Sequence, residues 1–122
     1  ELKRIGGARE WSDAIYGLVD WLKKTKTSNI VVLNQGFSRH IYFLMQGESY
    51  IYDMNGEYKD LVKFFYDENT KYILNPQLSD LNKESNMESF LEVIDNAGKR
   101  IIEEKIFYQR NGKPVYIVYS VR

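Results

Sequence analysis

The stretch Ile30-Val31-Val32-Leu33-Asn34-Gln35-Gly36-Phe37-Ser38-Arg39-His40 decides how the chain is organised. Ile30 to Leu33 is a run of apolar residues, and Ile30, Val31 and Val32 are β-branched. That pattern predicts a short strand buried on both faces, as in a parallel sheet. A polar turn containing glycine follows. Phe37, Ile41, Leu44 and Met45 then recur at helical spacing up to Gly47, a residue suited to stopping a helix. In open α/β sheets ligands sit beyond the carboxyl ends of strands, so this turn is the first place to look for a site.

Upstream, Glu1 to Arg9 reads as an extended lead-in. Trp11, Ala14, Ile15, Leu18, Val19 and Leu22 form one apolar stripe, predicting a helix from about Glu10 to Thr25. Lys23, Lys24 and Lys26 complement the negative end of its dipole. Downstream, Ser49 to Met54 alternates as a second strand, and Asn55-Gly56 turns the chain. Tyr58 to Tyr66 reads as a short helix. Lys71 to Leu74 is a third strand, stopped by Asn75-Pro76. Leu78 to Ser85 reads as loop. Met87, Phe90, Leu91, Ile94 and Ala97 mark a last helix that ends at Gly98. Arg100 to Arg110 and Pro114 to Val121 flank Asn111-Gly112, a strong hairpin signal in which both turn residues are expected at positive φ. The expected fold is therefore a single α/β domain over residues 1–122. It is a three-layer sandwich with a mainly parallel, Rossmann-like central sheet and a C-terminal β-hairpin.

Bulk properties narrow the function classes. The chain has 122 residues, with Lys+Arg and Asp+Glu both 17. The zero formal charge argues against a dedicated nucleic-acid surface. Without cysteine, thiolate metal sites and cysteine nucleophiles are excluded, and the single histidine excludes a histidine metal cluster. No metal site and no cofactor is expected. No apolar run is long enough to span a bilayer.

The candidate ligand-binding residues are Asn34, Gln35, Gly36, Ser38, Arg39 and His40, with Asp53 and Asn75 at neighbouring strand ends. Gly36 allows close backbone approach, the helix start offers N–H groups to an anion, and Arg39 adds a charge-assisted contact. The turn lacks the glycines of a dinucleotide loop and the glycine-lysine pair of a P-loop. The alternative is structural: Ser38 caps the helix, Arg39 and His40 lie on its solvated face, and Asn75 closes its own turn. No Gly-x-Ser-x-Gly elbow accompanies His40. Glu103 and Glu104 are adjacent in a strand, point to opposite faces, and read as solvated charge. No catalytic residue is assigned.

Trp11-Ser12-Asp13-Ala14-Ile15-Tyr16 through Trp21-Leu22-Lys23-Lys24, then Asn29 to Leu33, then Arg39-His40-Ile41-Tyr42-Phe43-Leu44 before a tyrosine-rich strand, form a familiar series. In order and spacing this series resembles the soluble carboxy-terminal domain of multi-spanning, lipid-linked-sugar glycosyltransferases. The group it resembles is the dolichyl-phosphate-mannose-protein mannosyltransferase-like proteins. The resemblance implies a parent membrane enzyme that transfers a sugar from a polyprenyl-phosphate donor, with its catalytic acid elsewhere. The present chain would be a non-catalytic, extracytoplasmic domain excised from that parent. Its partners would be the rest of the parent protein and a glycan or acceptor. A beginning at Glu1 fits that expectation. Without the resemblance, two alternatives stand. One is a stand-alone cytoplasmic module binding a nucleotide or sugar phosphate at the strand rim. The other is a protein-interaction domain built on aromatics such as Tyr16, Trp21 and Tyr42.

Overall fold

The computed structural model describes residues 6–33, 38–47, 49–53, 58–76 and 83–122. Among these residues three α-helices, one 3₁₀ helix and five strands follow one another. They are α1 (Gly6–Lys24), β1 (Asn29–Val32), α2 (Ser38–Met45), β2 (Tyr50–Asp53), the 3₁₀ helix (Tyr58–Phe64), β3 (Thr70–Leu74), α3 (Lys83–Asn96), β4 (Ile101–Tyr108) and β5 (Pro114–Val121). The strands form one sheet in the order β2-β1-β3-β5-β4.

β1 lies between its parallel neighbours, pairing Val32 with Asp53 of β2 and with Ile73 of β3. Ile30, Val31 and Val32 have no exposed surface at all. Their side chains alternate between two cores. Ile30 and Val32 pack with Ile73, Tyr116 and Val118 beneath Ala14, Ile15, Leu18, Val19 and Leu22 of α1 and Ile41 and Met45 of α2. Val31 and Leu33 pack with Tyr72 and Val121 against Leu61 and Phe65 near the 3₁₀ helix and Phe90 and Ile94 of α3. Leu18 and Leu22 are completely covered, and full burial of such a side chain stabilises by about 1.5–3 kcal/mol.

The sheet is mixed, which overturns the expected mainly parallel, Rossmann-like sandwich. β5 pairs antiparallel with β3 on one side and with β4 on the other, and β4–β5 is the longest ladder. The physical reason is the hairpin. Its second strand enters beside β3, where Ile73 meets Val118, and its first strand is left at the edge. A strand buried on both faces is compatible with either direction, so apolar content alone does not select a parallel neighbour.

Local corrections have similar causes. Gly6 to Arg9 belong to α1 and not to an extended lead-in. Residues 83–85, expected in a loop, begin α3. The hairpin loop turns through Arg110, Asn111 and Gly112, with the Gly112 N–H bonded to the Gln109 carbonyl at 2.9 Å. Only Gly112 holds positive φ, at 87°, so the expected pair of positive angles at Asn111-Gly112 is replaced by one left-handed residue after the turn. Asn111 accepts the Lys113 N–H at 2.9 Å, which holds the turn from its side chain. The Asn55-Gly56 turn lies outside the described residues.

α3 ends as its sequence suggests. Gly98, at φ 71°, lets the Lys99 N–H reach the Ile94 carbonyl and its own N–H reach that of Asp95, both at 3.0 Å. Gly17 is different: it is an interior helical residue, and a methyl group there would meet Phe107 at an ordinary 3.5 Å. The same substitution should therefore act with opposite sign. In urea titrations Gly17→Ala is expected to gain about 0.5–1 kcal/mol and Gly98→Ala to lose about 1 kcal/mol.

Candidate functional site

The sequence-predicted rim is brought together only in part. β1, β2 and β3 run parallel, so Asp53, Asn75 and the chain leaving Leu33 share the carboxyl edge of the sheet. Asn34, Gln35 and Gly36 lie outside the described residues. Ser38, Arg39 and His40 form the first turn of α2, where the backbone course is described. Asn75 is completely buried at the end of β3.

A different surface gathers exposed chemistry. α1 and α2 pack side by side and leave a groove of about 610 Å³ lined by Tyr16, Val19, Asp20, Lys23, Leu44 and Gln46. Val19 and the half-buried Leu44 supply apolar floor, because both also pack on the core beneath. Tyr16 is 60% exposed, and Tyr42 and Phe43 on α2 are exposed to 60% and 69%. Tyr42 and Phe43 stand edge to face with ring centroids 6.2 Å apart. Asp20 pairs with Lys24 across one helical turn at 3.5 Å. Flat apolar rings beside a few carboxylate, amide and ammonium groups are the ingredients of a site for an amphipathic ligand. The stripe of α1 announced its buried face. The groove needs a second helix some 20 residues along the chain, so no local pattern reveals it.

A second polar cluster is enclosed under α1. Lys71, on the α1 face of β3, is 8% exposed at its side chain and donates to the Glu104 carboxylate at 2.8 Å. Its ammonium also lies 5.8 Å from the centre of the Trp21 ring. Glu104 sits at a bulge, for Glu103 pairs with Tyr119 and Lys105 with Val118, leaving Glu104 as the extra residue. This corrects the expectation of a solvated Glu104. Burial alone would raise its carboxyl. Lys71 and the nearby Ser120 hydroxyl, with the charges of Lys71 and Arg122, outweigh burial and hold it below the ordinary carboxylate value. Ser120 does so from outside strict hydrogen-bond geometry. Trp21 is half-buried and packs edge to face on Phe107 at 6.4 Å, so it belongs to this structural layer more than to the surface.

Among the described residues no three histidine, cysteine or acidic side chains converge as metal ligands. Among the same residues, no helix is long and apolar enough to cross a membrane. The chain matches no family model, no curated protein and no solved structure.

The enclosed pair makes two measurable statements. Lys71→Met leaves the Glu104 charge without its partner and should cost about 2–4 kcal/mol, while adding Glu104→Leu should recover most of that loss. Glu104 titrates lower in the folded chain than in the unfolded one. Its contribution is therefore complete above the ordinary value of 4.5 and is lost as pH falls through the lowered folded value. Urea titrations from pH 7 to pH 2 should show that acid-side slope diminished in Glu104→Gln.

Proposed function

We propose that this chain is a non-catalytic recognition domain that binds a glycan or glycan-bearing acceptor along the α1–α2 groove. Its place is the extracytoplasmic side of a membrane glycosyltransferase that uses a polyprenyl-phosphate sugar donor. One observation carries the reading. Two of the segments that bear the resemblance to such transferase domains, Trp11 to Lys24 and Arg39 to Leu44, lie in α1 and α2. These two helices also line the groove. The lining supports a sugar in particular. Tyr16 offers a ring face for C–H groups, while Asp20, Lys23 and Gln46 offer acceptors and donors for hydroxyls.

A second reading has its own support. Tyr42 and Phe43 form an exposed aromatic pair, and exposed aromatics anchor protein interfaces. In that case the occupant is a protein segment of the parent enzyme.

Titration with neutral oligosaccharides, followed by amide chemical shifts, tests the first reading. Shifts should concentrate on α1 and α2, and Tyr16→Ala should weaken binding by about 1 kcal/mol, roughly fivefold. Shifts unaffected by Tyr16→Ala, or no saturation by any oligosaccharide, would overturn it. The wider assignment predicts that the parent reading frame encodes several apolar segments of about 20 residues. A frame with none removes the transferase connection.

A further inference from the structure

We propose that the pocket at the carboxyl end of α1 is a binding site for a tetrahedral oxyanion, a phosphate or sulfate ester. The pocket, about 320 Å³, is lined by Leu22, Lys23, Lys26, Thr27, Ser28, Met45 and Ser49. It opens at the amino-terminal edge of the sheet, opposite the rim where a site is expected in open α/β folds. Leu22 and Met45 form a dry floor at 0% and 1% exposure. Above it stand two lysines, and no acidic side chain lines the pocket among the described residues.

The end of a helix normally repels anions through its unpaired carbonyls. Here three of those carbonyls, of Trp21, Leu22 and Lys23, are occupied. The Thr25 N–H takes Trp21, the Lys26 N–H takes Lys23, and the Thr27 N–H takes Leu22, at 3.0–3.1 Å. The Thr25 hydroxyl adds bonds to the Trp21 and Leu22 carbonyls at 3.0 and 3.2 Å. Thr25 uses its proton on those carbonyls, so Thr27 donates to Thr25 at 3.0 Å. Ser49 donates to the Thr27 carbonyl at 2.5 Å. Lys26 and Ser28, both exposed, also line the pocket and bring an ammonium and a hydroxyl to it.

Lys26 supplies the independent sign. It occupies the left-handed position of the helix stop, at φ 54°, where glycine is the unstrained choice. α3 uses Gly98 at the equivalent place. A strained lysine that lines a pocket is a residue held there at the expense of stability.

Lys23 also lines the α1–α2 groove, so the two cavities adjoin. The further step, that the groove ligand is a sugar bearing this ester, rests on the glycan reading above. A lipid headgroup presents the same ester, and the experiment separates the two sources.

Amide shifts of the full chain are followed during titration with inorganic phosphate, glucose and glucose 6-phosphate. Phosphate and glucose 6-phosphate should both move Lys26, Thr27 and Ser28, with binding weakened by added salt. Lys26→Gly should raise the melting temperature and reduce affinity for both anions at least fivefold, and Lys26→Arg should retain it. A Lys26→Gly chain that is more stable yet binds as well overturns the site, as does the absence of saturable shifts at millimolar phosphate. Tighter binding of glucose 6-phosphate than phosphate, lost in Tyr16→Ala, supports the adjoining groove. Phosphate binding with no glucose 6-phosphate advantage leaves the anion site standing and fails only the glycan reading. Co-sedimentation with phosphatidylcholine vesicles containing phosphatidic acid, lost in Lys26→Gly, assigns the ester to a headgroup. Without co-sedimentation, binding of the free ester assigns it to a soluble ligand.

Discussion

The burial of β1 on both faces is the constraint from which the architecture follows. A strand whose Ile30, Val31 and Val32 have no access to water must be paired on both edges and roofed on both faces. β2 and β3 supply the edges in parallel, and parallel neighbours require crossovers. α2 roofs one face on the way to β2, and the 3₁₀ helix roofs the other on the way to β3. α1 must then share its face of the sheet with α2. Two helices on one face leave a seam between their outward sides. The groove with Tyr16, Asp20 and Gln46 is that seam, so its position is a consequence of how the core is closed.

Residue patterns made the elements legible because burial and periodicity are local properties. The stripe from Ala14 to Leu22, the run from Ile30 to Leu33 and the glycine at position 98 each state their own structure. Pairing is not local. Tyr116, Val118 and Ser120 alternate the same way whichever strand lies alongside, and nothing in them declares that β5 enters next to β3. Glu104 illustrates a second limit. As a charged residue beside Glu103 it reads as solvated, but Lys71, 33 residues away in the chain, pairs with it under α1. Of the candidate site, Asp53 and Asn75 were legible as strand ends on one edge. The groove and the basic pocket were not, because each is assembled from segments that meet only after α1 and α2 pack.

Lys71 and Lys26 have opposite situations. Lys71 is enclosed, paired and stacked under Trp21, and its charge is satisfied by the fold itself. Lys26 stands exposed on a strained backbone with no ion-pair partner among the described residues. The first is understood as architecture without reference to any ligand. The second is not, and the proposed anion site, in a pocket where the Trp21, Leu22 and Lys23 carbonyls are capped, gives it a purpose.

The bulge at Glu104 has one further consequence, for the behaviour of the chain in a crowded solution. β4 is an eight-residue strand at the open border of the sheet, a length that invites pairing with a second chain. Doubling the ladder at Glu103 and Glu104 breaks the even row of amides, and the exposed charges of Glu103 and Lys105 flank the break. An incoming strand would find no continuous register and would have to displace solvated charge. The residue that ties Lys71 into the interior thus also keeps the border of the sheet from serving as a template for aggregation.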